Sequence, residues 1–129
     1  TISNYLGGKY FFTIDQVEKY NETLYLIECK HSKYKLIPEK GDIKDGLLKM
    51  ILYCNLKDVE LNGDIVKFCP VLLLTSSKLT GTICSNDSKN DIDTFYKLNK
   101  FNQSLKTLIN FLFKEASFNN FIVKIQAVI

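Results

Sequence analysis

Asp15, Glu28 and Lys30 are the residues of this chain best suited to chemistry. Asp15 stands on the outgoing limb of an apolar hairpin, and the returning limb ends in Glu28-Cys29-Lys30. A strand turns successive side chains to opposite faces, so Glu28 and Lys30 emerge together while Cys29 points away. Two carboxylates and an ammonium that converge at a hairpin end can hold a hard divalent cation beside a water. Such a site suits phosphodiester hydrolysis. Glu18 is a rival acid, but its offset of three from Asp15 puts it on the opposite strand face. His31 follows the lysine and should also point away from it.

The elements that must position these groups follow from periodicity. Residues 10–17 and 23–30 read as paired strands, with Tyr20-Asn21-Glu22 as the turn. Both faces of the second strand are apolar until Glu28, as expected of a strand between two layers. A loop over residues 32–41 carries lysines. Asp42 is then the expected N-cap of a helix with Ile43, Leu47, Leu48, Ile51, Leu52 and Leu56 at helical spacing. Gly46 within it suggests close packing on the sheet. Asn62-Gly63 reads as a turn and residues 65–75 as an apolar strand, with Pro70 implying a bulge or an edge. Residues 76–90 read as a surface loop. Asp91 or Asp93 is expected to cap one long helix running through Phe95, Phe101, Leu105, Ile109 and Leu112 to Asn119-Asn120. Residues 121–129 form a last strand. The order β-β-α-β-α-β argues for a single layered α/β domain, residues 1–129, with a central mixed sheet.

Composition narrows the function classes. The chain has 129 residues, 46% hydrophobic and 24% charged, which is ordinary for a globular domain. No apolar run is long enough to span a bilayer, so no membrane partner is expected. The chain starts at Thr1 without a signal peptide and reads as a fragment of a longer protein, of cytoplasmic location. Cys29, Cys54, Cys69 and Cys84 make no zinc spacing with the one histidine and read as reduced thiols. The sequons at Asn21, Asn86 and Asn102 read as chance in an Asn-rich chain. A net charge of +3 does not by itself imply nucleic acid. All 17 basic residues are lysine, which excludes bidentate arginine reading of guanine. Lys33, Lys35, Lys40 and Lys44 crowd the segment after Lys30. They read either as a solvated loop or as phosphate contacts that place DNA without reading its sequence.

Asp15, the twelve residues after it, and Glu28-x-Lys30 at the end of an apolar strand resemble the PD-(D/E)XK nuclease superfamily. The stretches 26–32 and 42–53 look most like type II restriction endonucleases. Ile14 stands where the family commonly has proline, and no helix is recognisable in residues 1–9. Lys49-Met50-Ile51-Leu52-Tyr53 occupies the place of the Gln-x-x-x-Tyr found in the recombination-type branches. The resemblance implies a three-layer α/β/α restriction-endonuclease-like fold around a mixed sheet. It implies Mg²⁺, with Mn²⁺ as substitute, on Asp15, Glu28 and the Cys29 backbone carbonyl. Lys30 would orient the attacking water, and His31, Lys33, Lys35 and Lys44 would contact DNA. The products would carry 5′-phosphate and 3′-hydroxyl ends, and a homodimer or companion subunit would supply the second cut. The alternatives are a repair or junction-resolving nuclease of the same superfamily, or a non-catalytic DNA-binding or assembly module with this fold.

Overall fold

A computed structural model of the chain describes residues 2–4, 9–10 and 15–128. In chain order the elements are β1 Ile2–Asn4, β2 Lys9–Tyr10, β3 Gln16–Tyr20, β4 Thr23–Ser32, α1 Lys40–Cys54, β5 Leu56–Lys57, β6 Glu60–Leu61, β7 Asp64–Ile65, β8 Lys67–Ser76, β9 Thr82–Cys84, α2 Lys89–Leu98, α3 Gln103–Asn119 and β10 Ile122–Ala127. The result is a mixed α/β architecture. Its main sheet has the order β3-β4-β8-β10-β9, and β2-β1-β5 and β6-β7 form two small sheets. β4, β8 and β10 run parallel, with β3 and β9 antiparallel at the two edges.

The parallel strands are joined by two crossovers, β4-α1-β8 and β8-α2-α3-β10, that step the same way across the sheet. Crossovers of one hand stepping one way put their helices on one face. The core agrees: Leu24 and Leu26 of β4, Leu72 and Leu74 of β8, and Val123 and Ile125 of β10 meet Ile43, Met50 and Tyr53 of α1. Phe95 of α2 and Ile109, Leu112 and Ala116 of α3 join the same cluster. Among the described residues the helices therefore make two layers with the sheet, where three were expected. On the other face Tyr25, Cys29 and Leu73 are half-buried, and Ile27 and Val71 are buried. No described helix is long and apolar enough to cross a membrane.

Local structure departs from expectation at several points. The expected strand over residues 10–17 falls partly outside the described residues; β3 continues through Tyr20, and the turn is Asn21-Glu22, both at positive φ. Glu39, not Asp42, occupies the N-cap of α1, without a side-chain bond, and Asp42 lies in the first turn. Pro70 is in a central strand rather than an edge or bulge. It precedes the first β8–β10 pair, Val71↔Ile122, so its missing N–H costs no bond in that ladder. The polar segment 76–90 contains β9. The long helix is two helices: Ser88 Oγ accepts from Asp91 N–H to cap α2, and Asn102 Oδ1 accepts from Leu105 N–H to cap α3.

Gly46 is where α1 comes closest to the sheet. A Cβ there would sit 2.5 Å from Leu72 Cδ1, inside a fully buried side chain. Alanine improves helix propensity by ~1 kcal/mol, but overpacking a core costs about 1–3 kcal/mol. Gly46→Ala should therefore lower stability in urea denaturation. In a Leu72→Val background, which lacks the clashing carbon, the same change should become neutral or stabilising. Equal effects in both backgrounds would disprove the contact.

Candidate functional site

The last ladder pair between β3 and β4 is Gln16↔Ile27, so Asp15 stands beside Glu28 where the ribbon opens. There Cys29 N–H donates to Asp15 Oδ2 at 3.0 Å, taking a side chain in place of a strand partner. N–H and C=O of one strand residue point to the same side, so the Cys29 carbonyl is directed to the Asp15 edge as well. The Cys29 thiol belongs to the other face, where burial, and then the charges of Asp15 and Glu28, push it up.

Glu28 shares the face of Leu24 and Leu26 beneath α1 and is 4% exposed. Its carboxyl lies within hydrogen-bonding reach of Asp15. Burial, and next the hydrogen bond and charge of Asp15, raise its pKa, partly offset by Lys30 and Lys49. The Cys29 N–H holds Asp15 below the usual carboxylate range against some desolvation, with further help from Glu28, Lys30 and Lys49. The two carboxyls thus form a pair in which Glu28 keeps its proton to higher pH.

Lys30 emerges beside Glu28, as strand alternation requires, and its ammonium lies 2.8 Å from Asp45 Oδ2. That hydrogen bond, then the charges of Asp45, Glu28 and Asp42, raise its pKa, so Lys30 is a cation rather than a base. Lys49, half-buried one turn beyond Asp45, acts on Asp15, Glu28 and Asp45 by its charge. One turn further, Tyr53 is fully buried; its hydroxyl is pushed up to about 12 by burial and by the charges of Glu28 and Asp15. Asp42, Asp45, Lys49 and Tyr53 recur at spacings of three and four, one face of α1 turned to the end of β4. Neither Asp45 nor Tyr53 is among the site residues expected from the sequence. The shared helical face was the signal that could have joined them to the acids.

The remaining candidates lie elsewhere. His31 projects from the other sheet face, with Nδ1 2.8 Å from Thr75 Oγ1. Lys35 pairs with Glu39 at 2.8 Å, Lys33 lies over the Tyr34 ring, and Lys44 is exposed on α1. Glu18 lines a cavity of the other face with Tyr25, Ile27 and Val71 and does not join Asp15.

Among the described residues no group of three or more His, Cys, Asp or Glu side chains is placed to hold a metal. The donor set is two carboxylates and a carbonyl. Such hard oxygen donors suit Mg²⁺, which keeps several of its waters. The raised Glu28 and its buried contact with Asp15 fit that group, because a cation between the two carboxyls would relieve their repulsion. No family model, curated protein or solved structure matches the chain.

These shifts carry opposite stability signs. Asp15, lowered on folding, contributes stability present above its unfolded pKa and lost as pH falls through the folded one. Glu28, raised on folding, favours the fold below its unfolded value near 4.5, and that contribution is lost as pH rises through the folded one. Without divalent cations, Glu28→Gln should therefore raise the thermal midpoint at neutral pH, with the gain fading under acid conditions. Mg²⁺ should stabilise the wild type and leave the variant unchanged. A variant less stable than the wild type at neutral pH would contradict this reading of the pair.

Proposed function

We propose that this chain is a Mg²⁺-dependent DNA endonuclease domain whose site is of the PD-(D/E)XK type, most similar to type II restriction enzymes, carried on a mixed sheet with its described helices on one face. The observation that carries the reading is the meeting of the Asp15 and Glu28 carboxyls at the open end of the β3–β4 ribbon, with Lys30 on the same face. Asp15, Glu28 and the Cys29 carbonyl would hold the ion; Mn²⁺ would substitute. When bound, the ion would lower the pKa of a water and offset charge on the scissile phosphate.

The chain's own residues supply the rest. The Cys29 N–H fixes Asp15, so one acid stays ionised over the whole neutral range. Lys30, kept protonated by Asp45, places positive charge where a phosphoryl transition state becomes more negative. Lys49 adds a second cation behind the acids. Lys33, Lys35 and Lys44 would contact the DNA backbone, and salt would weaken that contact; His31, on the other sheet face, would take no part. A homodimer or companion subunit would provide the second active site that a double-strand cut needs.

The test is cleavage of supercoiled plasmid. The wild type should nick or linearise it with Mg²⁺ and stop in EDTA, and Lys30→Ala should cut slower by about 10²–10³-fold, the typical worth of one electrostatic group. A folded wild type that binds DNA but cuts nothing with either metal would leave only a binding module.

A further inference from the structure

The segment joining β4 to α1 starts directly after the acid-lysine end of β4 and is held in place by its own contacts. Lys35 N–H donates to Ser32 Oγ at 3.0 Å, the hydroxyl of the fully buried Ser76 donates to the Lys35 carbonyl, and Ser77 N–H donates to the Ser32 carbonyl at 3.1 Å. Ile37, 4% exposed, anchors the segment in the core. On this pinned segment Tyr34 is 78% exposed. The Lys33 ammonium lies 5.5 Å from the centroid of its ring.

A flexible loop can fold an aromatic ring back onto the protein; one tied at Ser32, Lys35 and Ile37 has less freedom to do so. The ring is displayed beside cations, with Lys33 and Lys35 flanking it in sequence and Lys40 and Lys44 on the next helix. An aromatic face among lysines is the chemistry that holds single-stranded nucleic acid, the bases stacking on the ring while ammonium groups follow the phosphates. An internal base pair of a duplex has both faces covered by its neighbours, so away from a duplex end only an unpaired nucleotide can take this place.

We propose that Tyr34, with Lys33, is a stacking platform for an unpaired nucleobase on the segment that follows the acid-lysine strand, so that the preferred substrate is DNA with a single-stranded segment. The proposal deepens the nuclease reading and takes its polymer class from it. Tyr20 supplies an internal control: it is 67% exposed, but it lies at the hairpin tip, about 30 Å away along the ten residues of β4.

The experiment is fluorescence anisotropy in EDTA with a labelled single strand, a blunt duplex and a duplex bearing a single-stranded overhang. Tyr34→Ala should weaken the single strand and the overhang by about tenfold, the scale of one base stacked on an aromatic ring, and leave the blunt duplex nearly unchanged. Tyr34→Trp should restore binding, and Tyr20→Ala should match the wild type. Equal loss on all three DNAs, no loss on any, or no single-strand binding by the wild type would overturn the platform. Because no metal is present, these outcomes are independent of cleavage. A protein that cuts plasmid without Tyr34-dependent binding loses only this proposal, and one with that binding but no cutting loses only the nuclease reading.

Discussion

The parallel pairing of β4 with β8 is the constraint on which the polar end of this protein depends. Their ladder runs through ten residue pairs from Thr23↔Lys67 to Ser32↔Ser76, and it sets Glu28 opposite Leu72. Leu72 in turn lies under Gly46, the point of closest approach of α1. With no side chain at Gly46, the helix can settle close enough for its neighbour Asp45 to reach Lys30. Register, a missing Cβ and an ion pair are thus one linked arrangement, and a slip of one residue in β4 would turn Glu28 and Lys30 to the wrong face.

That arrangement keeps two carboxyls close together at the edge of an apolar core. Alone, such a pair would be unfavourable, because burial and mutual repulsion both penalise ionisation. Three things moderate it: the Cys29 N–H on Asp15, the two lysines that face the pair, and the upward shift by which Glu28 keeps its proton to higher pH than a free carboxyl. The surrounding core is saturated with apolar contact, including the fully buried Met50, Tyr53, Leu72 and Leu74. Full burial of such a side chain contributes roughly 1.5–3 kcal/mol, so the fold can carry a locally unfavourable polar cluster.

How much was legible depended on the range of the interaction. The β3–β4 hairpin and the buried stripe of α1 could be read because period-two and helical patterns are local. The break between α2 and α3 could not. Phe95, Leu98, Phe101 and Leu105 keep helical spacing straight across it and mimic one long helix. In the fold, Phe101 turns in to stack on Tyr96 at 5.3 Å, Lys100 takes a left-handed φ of 54°, and the Asn99 amide donates to the Thr80 and Phe95 carbonyls. β9 escaped notice for a related reason. It is a three-residue edge strand whose one fully buried apolar side chain, Ile83, carries no detectable period.

From sequence alone, Asp15, Glu28 and Lys30 were assigned to one face of one ribbon, because side-chain alternation along a strand follows from backbone geometry and needs no partner. Which further groups complete the cluster was settled by tertiary structure. Asp45, Lys49 and Tyr53 join it only because the crossover lays α1 over β4, and His31 and Glu18 are excluded because the sheet separates them from it. The displacement of the cap from Asp42 to Glu39, and of the helices to one face, has the same origin. Long-range packing chooses among the several local structures that a short segment can adopt.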